Sequence, residues 1–198
     1  MTKFRAVLAL AAALVLSACY PPMSKYPVGG TAAKPDPVLV GLWKGTPADT
    51  NERGVYFHFL PRQDGTITLM MVQAGNQPDG DWYFATLTTA KLGANHFMNA
   101  RLILSNGIQE GGDPAVQPAG TVPVLYRIDA KGEMSAFTMD EDKVKAAIAS
   151  GKIKGTVEKG TLGDAVITAD PAALDKFVQS QAGLSLFSKL LFTLHKME

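Results

Sequence analysis

Cys19 carries the most nucleophilic side chain in this 198-residue protein, and it is the only cysteine. A thiolate can attack an electrophilic carbon or another sulfur, but a lone cysteine has no partner for an internal disulfide. The remaining groups suited to chemistry are dispersed. His58, His96 and His195 stand far apart in the chain and lack the i, i+4 spacing that brings two imidazoles to one metal on a helix. Asp140, Glu141 and Asp142 open a predicted helix, where carboxylates answer unpaired N–H groups and the helix dipole. Asp113, in "QEGGDP", lacks the ligand spacing of a calcium loop. No G-x-S-x-G elbow, H-E-x-x-H pair, phosphate-cradling G-x-x-x-x-G-K-[ST] or G-x-G-x-x-G occurs. The expectation is therefore a non-enzymatic protein with no catalytic residue, no metal and no cofactor.

What precedes Cys19 gives its thiol a use. Lys3 and Arg5 form a short positive start, Ala6 to Leu16 are apolar without interruption, and the small residues Ser17 and Ala18 follow. This is the pattern of an export signal with its cleavage site. Eleven helical residues span roughly 16 Å, about half the hydrocarbon core of a bilayer, so a permanent transmembrane helix is the poorer reading.

Leu16-Ser17-Ala18-Cys19 resembles the lipobox of bacterial lipoproteins at all four positions. The resemblance implies that residues 1–18 are a signal peptide cut between Ala18 and Cys19. It also implies that the Cys19 sulfur receives a diacylglycerol, that the new α-amine is acylated, and that the chain is held in a membrane by acyl chains. Tyr20 is not the aspartate that retains such proteins in an inner membrane. The implied location is the cell envelope, at the outer membrane and facing the periplasm.

With Lys3 and Arg5 removed, 17 basic residues face 18 acidic ones. That near-neutral body lacks the concentrated positive charge that nucleic acid requires. Residues 19–37 hold five of the twelve prolines and no apolar periodicity. They read as a lipidated tether, able to extend roughly 55 Å in a polyproline-like state. Residues 38–198 are of a size for one domain.

The domain reads as mainly β. "VLVGLWKG", "VYFHFL", "TITLMMV", "DWYFATLTTAKL", "HFMNARLIL", "VPVLYRID" and "EMSAFTM" are strand-like, with "DAVITA" an eighth. Asp64-Gly65, Gly93-Ala94-Asn95 and Ala130-Lys131-Gly132 supply hairpin turns. A long irregular loop is expected over "SNGIQEGGDPAVQPAGT". Asp140 and Asp170-Pro171 mark helix starts. The apolar tail "LSLFSKLLFTLHKME" reads as helix or strand, and as cover for the end of a sheet. The whole predicts a single antiparallel β-barrel or sandwich of about eight strands, with two or three helices in the C-terminal third.

Gly41-Leu42-Trp43 resembles the G-x-W motif on the first strand of lipocalins. The resemblance implies a barrel closed at one end by Trp43, with an arginine stacked on it; Arg127 is the candidate. Such a barrel can hold a small apolar ligand, and Trp43, Phe57, Phe59 and Trp82 are the expected binding residues, with Leu69, Met71 and Phe84 beside them. The functional expectation is a lipid-anchored envelope protein acting as a binding or interaction module. Its alternatives are a lipocalin-like carrier of an apolar molecule and a scaffold for other envelope proteins. The expected partners are a membrane, through Cys19, and an apolar small molecule or an envelope protein.

Overall fold

The structure is a computed structural model that describes residues 21–30, 35–48, 54–73, 81–105, 108–109, 120–157 and 165–197. The strands are β1 (Met23–Ser24), β2 (Gly41–Pro47), β3 (Val55–Pro61), β4 (Ile67–Gln73), β5 (Asp81–Leu92), β6 (Asn95–Ser105), β7 (Ile108–Gln109), β8 (Val122–Ile128), β9 (Glu133–Thr138), β10 (Gly155–Val157), β11 (Ala165–Ile167) and β12 (Lys189–Lys196). Among the described residues, three helices lie between β9 and β12: α1 (Glu141–Ala149), α2 (Pro171–Gln179) and α3 (Gln181–Leu184).

Eight antiparallel strands form the barrel, in the order β5-β4-β3-β2-β12-β9-β8-β6, and pairing of β5 with β6 closes it. Closure leaves the barrel itself no open edge. The expected barrel-or-sandwich is thus a barrel. The turns follow from local chemistry. Asp64 Oδ1 accepts from the Thr66 N–H at 3.0 Å and from its hydroxyl at 2.6 Å, and Gly65 takes φ +82°, a value that glycine reaches without steric cost. Asp129 repeats the device, accepting from the Lys131 and Glu133 N–H groups.

Alternation along the strands divides the apolar residues between two cores. Trp43, Val55, Phe57, Phe59, Ile67, Leu87, Met134 and Leu194 pack inside the barrel. Phe97, Leu125 and Met139 project outward, where Val144, Ile167, Leu174, Val178 and Phe187 cover them. Asp140 caps α1 through the Lys143 N–H, and Asp170 caps α2 through that of Ala173, with Pro171 at the first turn. The acidic cluster at Asp140 to Asp142 is therefore the start of a helix. No helix among the described residues is long and apolar enough to cross a membrane.

Three expectations need correction. "DAVITA" does form a strand, but β11 pairs with β1 and β10 in a separate three-stranded sheet. The eighth barrel strand is β12, from the apolar tail, which joins β9 to β2.

The stretch expected to be a tether also differs over residues 21–30. Met23 and Ser24 are buried and pair with Val166 and Ile167. Val28 is fully buried and exchanges two hydrogen bonds with Asn99, at 2.7 and 3.0 Å. The physical reason is that β11 offers an edge and Asn99 a buried amide, and this segment satisfies both. Of the long loop expected after β6, β7 is described and pairs back onto β6; Asp113 lies outside the described residues.

Candidate functional site

The barrel has two unlike ends. At one, residues 35–40 cross the opening just before β2 begins. Leu39 is fully buried there, and its carbonyl accepts from Trp43 Nε1 at 2.8 Å. Asp36 anchors the crossing from four sides. The Tyr126 hydroxyl donates to its Oδ2 at 2.6 Å, His96 Nδ1 stands 3.1 Å from the same oxygen, and the Val38 N–H donates to Oδ1 at 3.0 Å. Its own N–H donates to Thr89 Oγ1 at 3.0 Å. His96 and Tyr126 are direct cross-strand neighbours on β6 and β8, so the sheet register delivers both to one carboxylate.

This cluster is built to hold rather than to react. Burial opposes the Asp36 charge, yet hydrogen bonds from Tyr126, Val38 and His96 outweigh it and lower its pKa. Burial, reinforced by Asp36 as acceptor and as charge, raises the Tyr126 phenol far above its usual range. An ionised carboxylate facing a phenol that stays protonated is a latch. Because the folded pKa of Asp36 is depressed, its stabilisation is fully present above the unfolded value, about 3.9, and is lost as pH falls through the folded one. Tyr126→Phe should therefore cost about 1.5–3 kcal/mol at pH 7. In urea titrations the cost should shrink once acid protonates Asp36; an equal cost at both pH values would show that the pair is not the latch.

At the opposite end, the described side chains that face the interior are apolar. Leu69, Met71, Ala100 and Val122 face the interior and remain half-buried, as does Phe192, whose ring meets Phe57 edge-on at 4.8 Å. The interior below is filled: Trp43, Phe57 and Phe59 are at most 5 % exposed. A Cβ placed on Gly45 would come within 2.7 Å of the Phe57 ring, which explains glycine there. Met71 and Val122 are thus the partly buried apolar side chains above a deeper layer of Trp43, Phe57 and Phe59.

The expected binding residues are thus divided. Trp43, Phe57 and Phe59 lie inside the barrel, as filling. Trp82 and Phe84 share the other face of β5: they pair with Val72 and Met70, whereas the interior positions of β4 are Ile67, Leu69 and Met71. They form an edge-on pair at 5.4 Å on the outside. Arg127 does not reach Trp43, because it projects outward from β8 and lies over Phe137 at 5.6 Å. The cation over Trp43 is Lys196, at 5.6 Å, from the last barrel strand.

The three histidines do not converge. His58 lies on the outer face between Leu42 and Met70, His96 joins the latch, and His195 stands 3.2 Å from Glu133 on the surface. Among the described residues, no three His, Cys, Asp or Glu side chains gather as metal ligands. Cys19, Ala18 and the proposed cleavage site lie outside the described residues. Sequence reasoning missed Asp36. The available signal was an Asp before Pro37 and an apolar pair, the composition of an Asx turn, in a stretch otherwise read as linker. Comparison with protein-family models, curated proteins and solved structures finds no match.

Proposed function

We propose that this chain is an exported bacterial envelope protein, acylated at Cys19, whose barrel is a non-enzymatic binding module for an apolar group. The observation that supports the binding role is the asymmetry of the barrel. One end is latched shut by Asp36 and Leu39, and the other presents half-buried Leu69, Met71 and Val122 around the opening. A closed eight-stranded barrel holds its shape while it accepts a ligand at one end. Trp43 on the first barrel strand, under a basic side chain from the last, also favours the lipocalin-like variant of this reading. The filled interior limits the ligand to a short apolar portion, such as the end of an acyl chain, seated in the mouth.

The scaffold alternative gains no docking face from the apolar tail, because the fold uses that tail. Leu186 and Phe187 are buried against the helices and Leu194 against the barrel interior.

The test uses a chain beginning at Tyr20, which contains every described residue, and a fluorescent fatty acid as probe. Saturable binding is expected, with release of the probe by unlabelled palmitate. Met71→Glu should weaken it about tenfold or more, equal to about 1.4 kcal/mol, with the unfolding midpoint little changed. Absence of saturable binding, or binding indifferent to Met71→Glu, refutes the mouth as a ligand site.

A further inference from the structure

We propose that the mouth end of the barrel rests on the bilayer that holds Cys19, with Tyr56, Val72 and Trp82 at the lipid headgroups; this rests on the acylation reading above. The first ground is the length of chain between the anchor and the fold. Pro22 and Met23 are already buried, and Ser24 exchanges two 2.8 Å backbone hydrogen bonds with Thr121. Thr121 immediately precedes the start of β8, at the mouth. Consecutive Cα atoms are 3.8 Å apart, so Cys19 lies at most about 15 Å from Met23. The free tether of roughly 55 Å expected from composition does not exist, and the domain cannot stand away from its own anchor.

The second ground is what the two ends expose. Tyr56, Val72 and Trp82 are in register across β3, β4 and β5, next to Lys44 on β2. They form an outward row near the mouth. Tyr56 is 42 % and Val72 38 % exposed, and Trp82 is half-buried. Tyrosine and tryptophan favour the membrane interface, where an apolar ring and a polar tip are both accommodated, and a neighbouring lysine can extend its ammonium to phosphate. Exposed Val157 stands opposite Ala165, at the end of the small sheet where β1 begins.

The latched end is different. It exposes Val38, Leu42, Leu60 and Met197, but its turns also carry Arg62, Gln63, Asp64, Asp129 and Lys131 in water. Burying those charges against lipid would be costly, and the short reach from Cys19 to Met23, which pairs beside Thr121 at the mouth, turns the mouth toward the bilayer. A ligand portion seated there would pass between barrel and bilayer without crossing water.

The chain has only two tryptophans, Trp43 and Trp82, which makes the test direct. The full chain is produced with its own residues 1–18 in a bacterium, and mass spectrometry reads the acyl addition on Cys19. It is then reconstituted into phosphatidylethanolamine–phosphatidylglycerol vesicles with brominated acyl chains, which quench indole at short range. Part of the emission should be lost, and Trp82→Phe should abolish that loss, because Trp43 is buried in the barrel. Tyr56→Ser should reduce the quenching of Trp82 while leaving acylation intact, and serves if Trp82→Phe does not fold. Acylated, vesicle-bound protein with unquenched Trp82, or quenching that persists in Trp82→Phe, overturns the orientation and leaves the anchor standing. Unmodified Cys19 overturns both.

Discussion

Trp43→Ala is expected to destabilise the domain by about 3–5 kcal/mol, the range for deleting a large aromatic from a packed core. Trp43 is 1 % exposed and is paired in register with Phe57 on one side and Lys196 on the other. Its removal opens a cavity where the barrel closes. It also orphans the Leu39 carbonyl, which accepts from Nε1 at 2.8 Å, and an unsatisfied buried acceptor costs about 1–3 kcal/mol within that total. Such a loss is a large share of the stability of a domain this size. Urea unfolding followed through Trp82 should show a lower midpoint with an unchanged slope, since the same surface is exposed. Trp43→Phe should lose less, because the ring volume is partly kept. A Trp43→Ala cost below about 1 kcal/mol would mean that the barrel interior is loosely filled, and would reopen depth as a ligand site.

The parts of this fold that were legible in the sequence are those fixed by local chemistry. Asp64-Gly65 and Lys131-Gly132 turn where Asp64 and Asp129 accept backbone N–H groups. Val55, Phe57 and Phe59 alternate as a half-buried strand must, and all three are buried. The helix starts expected at Asp140 and Asp170 are capped there, through the N–H groups of Lys143 and Ala173.

Where partner choice decides, local pattern did not suffice. β11 has strong β-formers, yet it is three residues long and pairs outside the barrel. β12 was ambiguous because its register shifts between Leu190 and Phe192. A bulge there breaks the two-residue period, so Leu190, Leu191 and Phe192 read equally well as a helix face. The two faces of β5 carry Trp82 and Phe84 on one side and Tyr83 and Ala85 on the other. Residue size alone favours the wrong face, because the interior opposite Ala85 is filled from other strands.

The candidate site shows the same division. The interior placement of Phe57, Phe59, Leu69 and Met71 is legible from strand alternation, whereas His96 and Tyr126 lie 60 and 90 residues beyond Asp36 along the chain. Only the closed register brings them together.

Cys19→Ala is expected to have the largest cellular effect, since it removes the proposed anchor and exchanges a side chain outside the barrel strands. Each buried methylene contributes about 0.8 kcal/mol, so one acyl chain holds marginally and two or more hold stably. No other residue of the chain can supply the thioether, because there is no second cysteine. The precursor should accumulate with residues 1–18 uncut and take up no labelled palmitate. Its barrel should nevertheless unfold at the same denaturant concentration as the acylated protein. Met23 and Ser24 pair with Val166 and Ile167 of β11, and the side chain exchanged lies four residues before the first of them. That separation makes the experiment decisive, because a change in location cannot be attributed to misfolding. A Cys19→Ala chain that is cut normally and still sediments with membranes would refute acylation as the anchor. The exposed row of Tyr56, Val72 and Trp82 would then be the place to look for what holds it.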